Sequence, residues 1–167
     1  MKIPVSRIIT ELIRYDAGDP RRVQHALKVY AFSKSIGEEE GLATDPLAVL
    51  ETAAVLHDIG IHESERKYGS SAGNFQELEG PPIAQEILKP FGLPAEFIER
   101  VCYLIGHHHT YSNIDGPDYQ ILVEADFLVN LYEDDLKPEQ AKTALEKIFR
   151  TETGKRYLRE LFLPETE

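Results

Sequence analysis

Apolar residues recur along most of this chain at spacings of three and four, the period of an α-helix, and the breaks between runs carry helix punctuation. The first run, Arg7 to Tyr15, follows Ser6, a candidate cap, and ends before Gly18. Asp19-Pro20 joins a capping side chain to a proline suited to a first turn, which predicts a second helix from Pro20 to about Glu40. Val23, Ala26, Leu27 and Tyr30 share one face of it, Val29, Phe32 and Ile36 widen that face, and Gly41 stops it. Asp45-Pro46 repeats the start signal. The helix it opens, with Leu47, Leu50 and Ala54 in step and Val49, Ala53 and Leu56 beside them, is apolar nearly all round, which predicts a central position. It ends in His57-Asp58-Ile59-Gly60.

Residues 68–80, rich in Gly and Ser, read as a loop at the mouth of a site. Pro81-Pro82 is expected to open a helix to about Phe91, and Pro94 another, with Phe97, Val101, Leu104 and Ile105 inward, leading into His107-His108-His109. Asn113 to Pro117 is a turn, Tyr119 to Leu131 is helical, and Pro138 and Thr151 begin two final helices. Ile121-Leu122-Val123 looks strand-like only over three residues and continues into a helical pattern. With no internal repeat, low-complexity tract or linker, the expectation is an all-α single domain over residues 1–167, with roughly seven to nine helices.

The charge narrows the function. Eighteen basic and 29 acidic residues leave a formal net charge of −11, a surface that repels polyanions and argues against non-specific nucleic-acid binding. A small phosphorylated ligand is still compatible, because a bound metal ion inverts the local field. Cys102 is the single cysteine, so neither an intrachain disulfide nor a cysteine-based zinc site is expected. No apolar run is long enough for a signal peptide or a membrane span, and the expected location is the cytoplasm.

The informative positions are polar residues on apolar faces. Asp126 lies four after Leu122 and three before Val129, on their face, where an unpaired carboxylate is costly. His57 continues the stripe of Leu47, Leu50 and Ala54, and His25 lies four before Val29. Singly, each has a structural explanation: a buried salt bridge for Asp126, a satisfied core imidazole for each histidine. Together they supply nitrogen and oxygen donors from well-packed helices, which is what a divalent ion with open positions for water and substrate requires. His57 and Asp58 would point about 100° apart within a helix, so both reach one ion only near a helix end or with the ion between helices. Asp58 has two oxygens and could also bridge two ions.

The order His25, then His57-Asp58, then Asp126 resembles the HD-domain superfamily of metal-dependent phosphohydrolases. Ala53-Ala54-Val55-Leu56-His57-Asp58-Ile59-Gly60 resembles that family's central helix end, Ile105 to His109 its paired-histidine segment, and Glu124-Ala125-Asp126 its last ligand motif. The match covers about residues 20–135, and helices over about 138–162 follow it. The resemblance implies a single HD-domain helical bundle and one metal ion held by His25, His57, Asp58 and Asp126. Many relatives bind a second ion through two more histidines. The first usually stands in a His-Gly pair opening the helix after the loop, where this chain has Glu79-Gly80; Glu79 either replaces the histidine or marks a lost second site. The other is implied to be His108, with His109 the next choice.

The implied activity is hydrolysis of a small phosphoester, a nucleotide among the candidates, as a phosphomonoesterase or phosphodiesterase. One or two divalent ions (Fe, Mn, Zn, Ni or Co) would activate the attacking water, with His57 and Asp58 at the catalytic centre. Arg21, Arg22 and Lys67 are the candidate phosphate-binding cations, each with solubilising surface charge as the plain alternative. His62 falls at the mouth with no assigned role. A di-iron oxygenase of the same superfamily is the second reading, and a non-catalytic module that binds a metal ion or nucleotide the third. His57→Ala or Asp126→Ala is expected to abolish metal retention, read by elemental analysis of untagged protein; a variant that keeps its full metal content would exclude the assigned centre.

Overall fold

The computed structural model describes residues 3–165, and the outermost ends of the expected 1–167 domain lie outside them. Among the described residues the chain forms nine α-helices and no strand: α1 (Val5–Tyr15), α2 (Pro20–Glu39), α3 (Thr44–Leu56), α4 (Ile61–Tyr68), α5 (Gly73–Leu88), α6 (Ala95–Ile105), α7 (Pro117–Glu133), α8 (Pro138–Lys147) and α9 (Glu152–Phe162), with a short 3₁₀ turn at Lys89–Phe91 after α5. No helix among these residues is long and apolar enough to cross a membrane.

α3 lies at the centre, packed on α1, α2, α6 and α7. Its last five residues, Thr52 to Leu56, are all buried, as an all-round apolar sequence requires. α7 is enclosed in the same way, from Ile121 through Asp126. Helix α2 covers both, presenting His25, Ala26, Val29, Ser33 and Ile36 inward. The N-cap of α2 is Asp19, whose side chain accepts the Arg22 N–H, and Thr151 caps α9 by accepting the Gly154 N–H. Within the expected motif Glu124-Ala125-Asp126, Glu124 is wholly buried and serves the fold: its Oε2 accepts the backbone N–H groups of Arg150 and Thr151 at 3.0 and 3.1 Å, and Oε1 accepts the Thr151 hydroxyl at 2.6 Å. It ties the start of α9 to α7.

Several helix starts need correction; α7 begins at Pro117, inside the expected turn. The first helix starts at Val5, two residues early, with Pro4 and not Ser6 at its cap. The third starts at Thr44 after Ala43, so Asp45 lies in the first turn. The largest correction concerns residues 68–80. They are not a loop: α4 runs to Tyr68, Gly69 closes it in the left-handed region (φ +65°), and α5 begins at Gly73, which leaves only residues 69–72 between helices. Pro81 and Pro82 therefore sit inside α5 and do not open it. Proline costs an interior helical bond, and the Glu77 carbonyl that Pro81 leaves without its helical donor faces Gly106. Tertiary packing holds this stretch helical. Gly60 and Gly80 meet backbone to backbone, where a Cβ on Gly60 would stand 2.7 Å from the Gly80 nitrogen and 2.9 Å from the Gln76 carbonyl, and one on Gly80 would stand 2.7 Å from Ile105.

Because backbone atoms cannot yield as a flexible side chain can, Gly60→Ala should cost about 1–3 kcal/mol and lower Tm by several degrees in a thermal melt; an unchanged Tm would show that the crossing has slack.

Candidate metal centre

Four side chains from separate positions converge between α2, α3 and α7. His25 comes from the second turn of α2. His57 is the C-cap of α3, and Asp58 follows it in the turn before α4; Asp126 comes from the middle of α7. α3 ends at Leu56, His57 keeps helical backbone angles, and the chain then tightens, with the Ile59 N–H donating to the Leu56 carbonyl at 3.0 Å; at this helix end the adjacent residues His57 and Asp58 both face the same point. His25 Nε2 lies 3.1 Å from His57 Nε2 and 3.2 Å from both Asp58 Oδ2 and Asp126 Oδ1. His57 Nε2 lies 3.4 Å from the same two oxygens. Donors that share one ion at about 2.0–2.2 Å stand about 3.0–3.5 Å from each other, so this spacing fits a single small cation.

The hydrogen bonds behind these donors make the case independently of distance. His25 Nδ1 lies 2.7 Å from Glu133 Oε1, and His57 Nδ1 lies 2.7 Å from the Ala54 carbonyl. Carboxylate and carbonyl oxygens only accept, so both Nδ1 atoms carry the proton. In its neutral form each ring then aims its Nε2 lone pair at the other and at two carboxylates. Asp126 Oδ1 is buried with no hydrogen-bond partner. Lone pairs and anions face one another in the core, which is stable only with a positive charge among them. A proton on His25 is one source: burial pulls this imidazole down, but Asp126 and Asp58 outweigh it and push it up to about 11. A divalent ion, held by groups oriented in this way, is the other. Burial pushes Asp58 and Asp126 up, yet the surrounding histidines hold both below the usual carboxylate range.

Asp58 reaches a second cluster through its other oxygen. Oδ1 lies 3.3 Å from His108 Nε2, and His108 Nδ1 donates to the Ile105 carbonyl at 2.7 Å, the same orienting bond seen at His57. His109 completes a group of three with them. Burial and the neighbouring His108 lower its imidazole to about 4, so it is neutral at pH 7 and able to offer a lone pair. Gly73 leaves room for the ring, since a Cβ there would stand 2.8 Å from it. His107 turns away, stacked on Tyr103 with its Nδ1 donating to the Tyr103 carbonyl.

Glu79, expected as the possible replacement ligand, is not in this group. Its carboxylate accepts from Lys67 Nζ at 3.0 Å and from the Tyr68 hydroxyl at 2.9 Å, a bridge from α5 to α4 on the outside. The same pairing engages Lys67, a candidate phosphate-binding cation, which does not line the cleft beside the cluster. The residue of α5 that faces the second cluster is Gln76, which is buried. Its amide nitrogen donates to the Ser71 carbonyl at 2.6 Å, which turns its oxygen toward His109 Nε2 at 2.9 Å. Gln76 lies four residues before Gly80, on the face that packs against Gly60, whereas Glu79 is rotated away from that face. The signal was in the sequence, but it was legible only with α5 extended upstream of the prolines.

The clusters open into a cleft of about 150 Å³ lined by Arg21, Arg22, Asp58, Ile61, Gln76, His109, Asn130 and Asp134 among others. Larger grooves exist, such as one of about 620 Å³ between α1 and α5, but they carry no converging ligand set among the described residues.

Comparison with known proteins accords with this geometry. The HD domain family model matches residues 22–164, and the chain belongs to that family. It is similar in fold to the crystal structure of a predicted HD superfamily hydrolase from an uncultured Thermotogales bacterium, with a TM-score of 0.63 and 24% sequence identity over 93% of this chain and 82% of that one. No curated protein gives a significant match. Family membership and the histidine–aspartate cluster together support a metal-dependent hydrolase.

These positions separate the two α5 residues experimentally. Glu79→Gln is expected to leave metal stoichiometry unchanged, while Gln76→Leu weakens the second of two binding events in a calorimetric metal titration; the reverse pattern would restore Glu79 as the ligand.

Proposed function

We propose that the chain is a phosphohydrolase acting on small, hydrophilic phosphoesters. The observation that carries the proposal is the convergence of His25, His57, Asp58 and Asp126 on one point, with an orphaned buried carboxylate oxygen among them, beside two arginines. In this reading those four residues hold one divalent ion, and Asp58 Oδ1, His108 and His109, with the Gln76 oxygen beside them, offer a second position. When bound, the ions polarise the phosphoryl group and bring a water molecule close to ionisation at neutral pH.

The chain's own residues supply the rest. Asp58 faces both positions, where bound cations would keep it ionised, and is placed to orient the attacking water by accepting its hydrogen bond. Glu133 and the Ala54 carbonyl hold the His25 and His57 rings at fixed angles, so the centre needs no rearrangement on binding. Arg21 and Arg22 lie in the first turn of α2 and line the cleft, and their side chains have no hydrogen-bond or ion-pair partner among the described residues. They are placed to meet the phosphate oxygens, aided by the positive end of the helix.

The cleft also limits the substrate. At about 150 Å³ it is smaller than the roughly 300–1,000 Å³ of pockets that enclose drug-sized ligands. Ile61 is the one apolar residue in its lining, which leaves no slot for a nucleobase. Asp134 at the rim and the net charge of −11 oppose polyanions. A compact phosphomonoester fits these conditions best.

The test is phosphate release from p-nitrophenyl phosphate and from small aliphatic phosphomonoesters by protein stripped of metal and reloaded with manganese. Turnover is expected only in the reloaded protein. Arg21→Ala with Arg22→Ala should raise KM by about tenfold or more with metal content unchanged. Absence of turnover on every ester, or a KM that ignores the two arginines, would overturn the assignment.

A further inference from the structure

A second group of ionisable side chains, outside the cluster, ties three elements together. Asp16 terminates α1, Gly18 (φ +86°) turns the chain, Asp19 caps α2, and His62 stands at the start of α4. His62 Nε2 donates to Asp19 Oδ2 at 2.8 Å, and its Nδ1 faces Asp16 Oδ1 at 3.4 Å. The two ring nitrogens point in opposite directions, so the group does not converge on an ion; it is a strap. Burial pushes the Asp16 carboxyl up to about 6, with His62 and Arg22 pulling it down and Asp19 and Asp58 raising it. The hydrogen bond from His62 holds Asp19 below the usual carboxylate range.

The strap has a specific mechanical effect. Asp19 uses its second oxygen, Oδ1, to accept the Arg22 N–H at 3.3 Å. A continuous path therefore runs from His62 through Asp19 to the backbone of the turn that carries Arg21 and Arg22. His25, one turn further, is held separately by Glu133 and by the cluster. The arginine side chains themselves are unbonded among the described residues, so the direction in which they face depends on how the first turn of α2 is fixed.

We propose that His62 is a positioning residue for phosphate binding: its Nε2–H, acting through Asp19, holds the first turn of α2 so that Arg21 and Arg22 face the cleft. This rests on the reading of the cleft given above. Two conservative variants separate it from a merely structural role. In His62→Gln the amide nitrogen falls near the place of Nε2 and keeps the bond to Asp19. In His62→Asn it falls near Nδ1 and keeps only the contact with Asp16.

The experiment is a calorimetric titration of inorganic phosphate into manganese-loaded wild type and both variants, with amide hydrogen exchange at Arg22 measured in parallel. His62→Asn should bind phosphate about two- to fivefold more weakly, the range of one partly exposed ion pair, and exchange faster at Arg22. His62→Gln should match wild type in both, with metal content equal in all three. Wild-type affinity in His62→Asn, or equal losses in the two variants, would overturn the proposal. If wild type binds no phosphate, the reading of the cleft fails by itself, and Arg22 exchange then decides the strap: unchanged exchange in His62→Asn overturns it.

Discussion

Two carboxylates, Asp58 and Asp126, face two imidazole nitrogens, and among the described residues no side chain other than histidine donates to them. The rest of the structure is arranged around this concentration of unlike and like charge. A buried, uncompensated charge is costly, so the core is complete only when a cation, proton or metal, is present. Binding of a proton or a metal ion at this point would therefore be linked to folding. The orienting bonds from Glu133 to His25, from Ala54 to His57 and from Ile105 to His108 serve that linkage, since each commits one ring nitrogen outward and leaves the other for the centre.

Rigid packing keeps these donors in place. α3 is enclosed by α1, α2, α6 and α7 and delivers His57 at its end, where the chain tightens into the turn that carries Asp58. The crossing of Gly60 and Gly80 brings α5 against the turn after Asp58, which puts Gln76 beside His109 and sends Glu79 outward. One close backbone approach thus sets both the position of the turn that carries Asp58 and the identity of the residue that faces the second cluster. On the far side of α7, Glu124 does the comparable work for the C-terminal helices, which explains why two acidic residues so near in sequence have separate tasks.

The cleft above the centre is small and polar, and the cations that line it come from the first turn of the helix that also carries His25. Charge at the mouth, the buried His25 at the next turn and apolar packing beyond it are three consecutive layers of α2. The first layer is coupled to α4 through Asp19 and His62, so the two helix starts that flank the cleft are not independent.

By itself the sequence determined the all-helical class, the starts of α2, α6, α8 and α9, the central place of α3 and the inward positions of His25, His57 and Asp126, because caps and a 3.6-residue period are local properties. It could not determine where α5 begins. Pro81-Pro82 reads locally as a helix start, and only the contact with Gly60, some twenty residues away in sequence, shows that the helix is already under way. Nor could the sequence show that Glu79 and Lys67 pair with each other outside the clusters: a shift in where a helix starts does not alter its period, but which face looks inward is decided by the partner it packs against. The convergence of adjacent His57 and Asp58, the pairing of Asp58 with two clusters and the tie from His62 to Asp19 are likewise distances between separate elements, and distances of that kind exist only once the chain has folded.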